Sequence, residues 1–154
     1  MIQIQPFNSK RHLTSVKNLI YQSIDQCYPE FYNEKVVAYF KEYHSEENIS
    51  ERAEKGFTIV MYNYMTMVAT GTLIGNYISS VYVLPKFQKK GMGKAIVIVL
   101  VKEAKKQGIS ILILDATAGS VDFYLKQGFT IDAEKIQMID EIFPLPYTVM
   151  EKVF

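Results

Sequence analysis

The stretch Val81-Tyr82-Val83-Leu84-Pro85-Lys86-Phe87-Gln88-Lys89-Lys90-Gly91-Met92-Gly93-Lys94-Ala95 gathers residue types that can hold a phosphate. A β-rich segment stops at a proline, a basic turn follows, and two glycines stand where a helix begins. The first turn of a helix has unpaired N–H groups and roughly +0.5 of a charge, so backbone alone can bind an anion there. Gly91 and Gly93 put no side chain between that backbone and a ligand, and Lys89, Lys90 and Lys94 supply the positive charge a pyrophosphate needs. Two other phosphate motifs fail on these letters. A Walker A loop requires Gly in place of Gln88 and Ser or Thr in place of Ala95, and a dinucleotide fingerprint requires Gly in place of Ile96. A plain strand-to-helix turn, with glycines for geometry and lysines for solubility, stays open at this point.

The rest of the composition narrows the ligand. Seventeen basic residues against sixteen acidic ones leave no electrostatic footprint for nucleic acid or an anionic membrane. The single cysteine, Cys27, cannot form an intramolecular disulfide, and with two distant histidines it makes a poor metal set, so no metal is expected. No signal peptide and no apolar run of membrane-spanning length occur, which fits a reduced, cytoplasmic protein. The 154 residues, about half of them hydrophobic, suit one core, and without repeats or linkers we expect a single domain over residues 1–154.

The elements that must position the basic turn follow from hydrophobic period. Ile2 to Pro6 alternates like a short strand. Lys10 to Tyr28 carries Leu13, Val16, Leu19, Ile20 and Ile24 on one helical face until Pro29 stops it. Asn33 to Tyr43 reads as a second helix and Ser45 to about Ala53 as a third, with Ser45 as N-cap. Phe57 to Tyr62, Met65 to Ile74 and Tyr77 to Leu84 form a three-strand antiparallel meander. Length and the Gly108 stop make Gly91 to Gln107 a helix, and Ile109 to Leu114 the strand after it, parallel to a neighbour. Ala116 to Gln127 reads as a helix, Phe129 to Ile131 as the start of a strand, and Tyr147 to Phe154 as a last strand after the Pro144-Leu145-Pro146 break. The result is an α/β (α+β) fold, a mixed, mostly antiparallel sheet with helices on both faces.

Val83-Leu84-Pro85 followed by Gln88-Lys89-Lys90-Gly91-Met92-Gly93, and later Phe123-Tyr124-Leu125-Lys126-Gln127-Gly128-Phe129, resemble the two signatures of the GCN5-related N-acetyltransferase (GNAT) superfamily, in the family's order. The resemblance is good over residues 57 to 131. It implies the GNAT-like acyl-CoA N-acyltransferase fold and transfer of acetyl from acetyl-CoA (coenzyme A) to a primary amine, on a small molecule or a protein, without metal. Val81, Tyr82 and Val83 would lend backbone groups to the pantetheine arm. Gln88, Lys89, Lys90, Gly91, Met92, Gly93 and Lys94 would hold the pyrophosphate. Tyr124 would protonate the departing thiolate, a backbone N–H near Val83 would stabilise the oxyanion, and Thr117 would stand where relatives use Asn or Ser on the cofactor arm.

One part of the family pattern is missing. The strand Tyr77 to Val83 has Ser79 and Ser80 but no carboxylate to serve as general base. Asp115 is the nearest candidate along the chain, against its plainer reading as a helix cap. A catalytically silent acyl-CoA-binding module is the alternative that this gap supports. Tyr28, Tyr32, Tyr39 and Tyr43 are candidates for an acceptor pocket, at least half of them expected simply to pack. Glu46, Glu47, Glu51 and Glu54 read as a solvated helix face, His12 and His44 as surface or capping residues, and Cys27 as a packed thiol. Asp132 to Pro146 reads as an acceptor lid or an interface, which leaves a homodimer open.

Overall fold

The β-branched and aromatic runs between residues 57 and 84 form the expected meander, β2 (Phe57–Asn63), β3 (Thr66–Ile74) and β4 (Tyr77–Val83), in a computed structural model that describes residues 1–154. With β1 (Ile2–Pro6), β5 (Ile111–Ala116), β6 (Thr130–Ile139) and β7 (Phe143–Val153) they build one seven-stranded sheet in the order β1-β2-β3-β4-β5-β7-β6. Every pairing is antiparallel except β4 with β5. The helices are α1 (Ser9–Cys27), α2 (Glu34–Tyr43), α3 (Glu46–Lys55), α4 (Met92–Lys106) and α5 (Val121–Lys126). The crossover through α4 is what makes β4 and β5 parallel. No helix is long and apolar enough to cross a membrane.

Two helical stripes cover the two faces. Val16, Leu19, Ile20 and Ile24 of α1 pack on Val60, Met67 and Tyr82, while Ile96, Val97, Leu100 and Ala104 of α4 pack on Ile59, Leu73 and Leu112. Each such Leu or Ile contributes about 1.5–3 kcal/mol by leaving water. The α4 layer sits tightly on the sheet because Gly71 lies beneath it: a Cβ there would stand 2.5 Å from Cγ2 of Ile96. Asn8, Asn33 and Ser45 each cap a following helix by accepting a backbone N–H.

The second half of the chain departs from expectation in three places. The helix expected over Ala116 to Gln127 shrinks to α5, because Ala116 completes β5 and Thr117 to Ser120 form a turn in which Gly119 takes φ +86°. The last strand begins before its prolines rather than after them. Pro144 and Pro146 pair with Met138 and Ile136 of β6, while β5 reaches only from Thr148 onward. Their ring nitrogens therefore lie on the side of β7 that has no strand, where the Pro146 carbonyl accepts from the Tyr32 hydroxyl (3.3 Å). Most of Asp132 to Pro146, read from the sequence as an acceptor lid or an interface, is a long hairpin of the sheet itself.

Candidate active site

The sheet forks at its only parallel joint. β4 and β5 share a single register pair, Tyr77 with Ile113, and beyond it they diverge toward their C-terminal ends. A bulge contributes to the divergence: Thr70 pairs with Tyr82 and Thr72 with Ser79, so Ser80 and Val81 both oppose Gly71, and Ser80 takes φ +57°. At the tip, the Leu84 N–H bonds back to the Val68 carbonyl of β3 (2.9 Å). The Val83 carbonyl points away from β3 and accepts from Ser23 Oγ (3.3 Å) and Gln88 Nε2 (3.0 Å). In an extended chain N–H and C=O of one residue share a side, so the Val83 N–H also faces away from β3.

The start of α4 lies next to this fork. Its first helical bond runs from the Ala95 N–H to the Gly91 carbonyl (3.1 Å), and no side chain caps it, which leaves the first-turn amides for a ligand. Gly91 takes φ +86° with nothing within 4 Å of where a Cβ would be, so it meets the backbone requirement and leaves the space open. Gly93 is glycine for a different reason. A Cβ there would lie 3.1 Å from the ring of Phe123 and 3.5 Å from Val83, so the two signature segments are locked together through it. Lys89, Lys90 and Lys94 are exposed around the loop. Gln88 is engaged elsewhere, since its N–H bonds to the Pro85 carbonyl (3.2 Å) and its amide clamps Val83. It thereby shapes the turn.

A cavity of about 240 Å³ opens in the fork. Seven of its lining side chains are tyrosines, Asp115 is the only carboxylic acid among them, and no lysine or arginine lines the cavity. Tyr124 enters from α5. Its hydroxyl makes no hydrogen bond within the protein, yet no buried polar side-chain atom is left without a partner, so the hydroxyl opens to the cavity. Burial, reinforced by the neighbouring Tyr28, pushes this phenol above its ordinary range, so it holds its proton at neutral pH. Asp115 lies on β5 and accepts the Tyr77 hydroxyl (3.0 Å), while Ser120 occupies the N-cap of α5. The helix-cap reading of Asp115 is therefore overturned. Burial and then the Asp115 carboxylate push the Tyr77 phenol up as well.

Val81, Tyr82, Thr117, Asp115 and Tyr124 all meet in the cavity wall, whereas Gln88 to Lys94 lie outside it, at the start of α4. Tyr82 belongs to the wall, but its side chain reaches into the core between α1 and β3, where its hydroxyl bonds to Tyr28 (3.0 Å) and His44 (3.1 Å). Three of the four helical tyrosines, Tyr28, Tyr39 and Tyr43, line the cavity, while Tyr32 is buried in a side cluster with Val36, Ile139 and Leu145 against which Tyr28 and Tyr39 also pack. Both histidines are buried rather than on the surface. His12 does cap, accepting the Asn8 N–H at Nδ1 (2.9 Å), and His44 closes α2 while facing the cavity. Tyr77, Gln137 and Tyr147 also stand in the wall and carry no local sequence signal. Cys27 sits beside Gln88 Nε2 (3.7 Å), outside the cavity.

Comparison with known proteins agrees with this geometry. The acetyltransferase (GNAT) domain family matches residues 27–150. No curated protein sequence matches the chain. Among solved structures, a GCN5-related N-acetyltransferase from Rhodopseudomonas palustris, described also as a class-II aminotransferase, superposes with a TM-score of 0.90 at 21% identity, covering 99% of this chain and 95% of the other. PaiA N-acetyltransferase from Thermoplasma acidophilum, solved in complex with coenzyme A, gives 0.81 at 19% identity over 100% and 99% of the two chains. The ribosomal-protein-S18-alanine N-acetyltransferase from Escherichia coli gives 0.73 at 16% identity over 99% and 94%. With a domain match over most of its length, the forked sheet and both signature segments in place, the chain belongs to the GNAT acetyltransferase family.

Proposed function

We propose that the protein transfers acetyl from acetyl-CoA to a primary amine held in the tyrosine-lined cavity, by direct attack. The observation that carries this reading is Tyr124, a phenol whose hydroxyl has no partner within the protein and opens into the fork. The first-turn amides of α4 and Lys89, Lys90 and Lys94 suit the pyrophosphate, and the open side of Val81 to Val83 suits the amide groups of the pantetheine arm. Two solved relatives in fold bear on it, one solved in complex with coenzyme A and one named for acetylating an alanine of a ribosomal protein.

The amine nitrogen bonds to the acetyl carbonyl carbon, the Val83 N–H stabilises the developing oxyanion, and the carbon–sulfur bond then breaks. Tyr124 gives its proton to the departing thiolate, and Asp115 takes the proton that the nitrogen must lose. Asp115 also makes the cavity attractive to a cation, and the tyrosine faces around it suit an ammonium group, which gives one proton to solvent before the neutral nitrogen attacks. Acetyl-CoA binding and thiol release over a panel of primary amines, for wild type and Tyr124→Phe, test the reading. Transfer is expected for wild type, with Tyr124→Phe binding normally and reacting about 10²- to 10⁴-fold more slowly. Binding without release on any amine would instead mark a silent acyl-CoA-binding module, and no binding would remove the cofactor assignment.

A further inference from the structure

Behind the cavity runs a chain of hydrogen bonds whose direction is set at one end. Arg52 Nη2 lies 2.9 Å from His44 Nδ1, His44 Nε2 lies 3.1 Å from the Tyr82 hydroxyl, and the Tyr82 hydroxyl lies 3.0 Å from that of Tyr28. A guanidinium can only donate, so His44 Nδ1 must accept and its proton must sit on Nε2. His44 then donates to Tyr82. Tyr82 is buried with no other acceptor in reach, so its own hydrogen goes to the Tyr28 oxygen, since leaving it unpaired there is costly. Tyr28 in turn has its oxygen occupied, and its hydrogen is left for the side where Thr117 and the cavity lie.

We propose that Tyr28 is a second hydrogen-bond donor to the acyl group under attack, and that Arg52, His44 and Tyr82 are positioning residues that fix the direction of its donation. The inference rests on the acetyl-transfer reading of the cavity. Tyr28 donates to the oxygen that becomes negative in the tetrahedral intermediate, sharing that charge with the Val83 N–H while Tyr124 serves the sulfur. Two phenols side by side could each turn either way in water. Here one of them is held to a single sense by a residue on a different helix. Arg52 is itself fixed, since its Nη1 donates to the Tyr43 carbonyl (3.0 Å) at the end of α2. Burial and the adjacent guanidinium both disfavour a second proton on His44, which keeps the ring neutral.

The test pairs nitrogen NMR of the His44 ring with steady-state thiol release for wild type, Tyr28→Phe, Arg52→Met, Arg52→Lys and the double variant Tyr28→Phe/Arg52→Met. Wild type and Arg52→Lys should show the Nε2–H tautomer, and Arg52→Met should populate Nδ1–H, which reverses the chain. Tyr28→Phe should lower kcat roughly 10²-fold with the KM for acetyl-CoA unchanged, as expected for loss of one oxyanion donor. Arg52→Met should lower kcat about tenfold, Arg52→Lys should recover most of that, and the double variant should be no slower than Tyr28→Phe, because the two act through one hydrogen bond. An Nδ1–H ring in wild type, an unchanged kcat for Tyr28→Phe, or additive losses in the double variant would each overturn the proposal. A wild type that acetylates no amine overturns the transfer reading and this proposal together, whereas turnover that survives Tyr28→Phe overturns this proposal alone.

Discussion

The start of α4 and the tyrosine-lined cavity are the two halves of the proposed site, built by opposite means. The α4 turn is a dozen consecutive residues whose useful groups are backbone amides and exposed lysines, and its geometry is nearly complete once Pro85, Gly91 and Gly93 are specified. The cavity draws on five regions, from Tyr28 on the N-terminal side to Tyr147 on β7, and every useful group is a side chain held by tertiary contacts. A contiguous site can be passed from sequence to sequence as a motif. A dispersed one can change its acceptor while the motif stays the same.

That contrast can be broken by substitution, beginning with the largest expected effect. Asp115→Asn leaves the α4 turn untouched, and should lower kcat about 10²-fold while acetyl-CoA binding, followed by calorimetry, stays within twofold. Acid should damage the cavity side selectively. Burial and Arg52 lower the His44 pKa from 6.5 to about 3, so its contribution to stability is complete above pH 6.5 and is lost as pH falls toward 3. The loss is on the order of 2 kcal/mol by pH 5 in urea titrations, and that part of the slope should vanish in His44→Gln. His12, lowered by burial and by Arg11, acts with the same sign.

Smaller effects separate the two glycines. Gly93→Val should destabilise the fold by about 1–3 kcal/mol through its collision with Phe123, measured by thermal melting. Gly91→Ala meets no atom and should cost about 1 kcal/mol from its left-handed backbone alone. The smallest effect is expected from Lys89→Ala/Lys90→Ala/Lys94→Ala, which should weaken acetyl-CoA binding about threefold at low salt and much less at high salt, because exposed charges are screened. Salt-independent weakening would mean that the lysines do more than attract.

The same contrast explains what could be read from the letters. Pro85, Gly91, Gly93, Gly108 and the meander of residues 57 to 84 act on their immediate neighbours, so the sheet, the α4 helix and its uncapped glycine start were legible. His44 was not, because a histidine after a helix gives no sign that Tyr82, thirty-eight residues on, will bury it. Asp115 resembles a cap only if Thr117 to Ser120 is helical, and Gly119 interrupts that turn. Pro144 and Pro146 look like a break because local rules cannot see that β5 stops short of them.

The fork between β4 and β5 has one more consequence. A sheet normally exposes two edges at its outer margins, and this one has two more in its middle, held apart from a single rung at Tyr77 and Ile113. Unpaired strand edges invite any extended chain to join them. The bulge at Ser80 and Val81 makes the inner edge of β4 irregular, which obstructs a regular peptide strand from zipping in. A ligand arm that needs only one or two polar contacts can still use it, so the same irregularity that opens the sheet also guards it against aggregation.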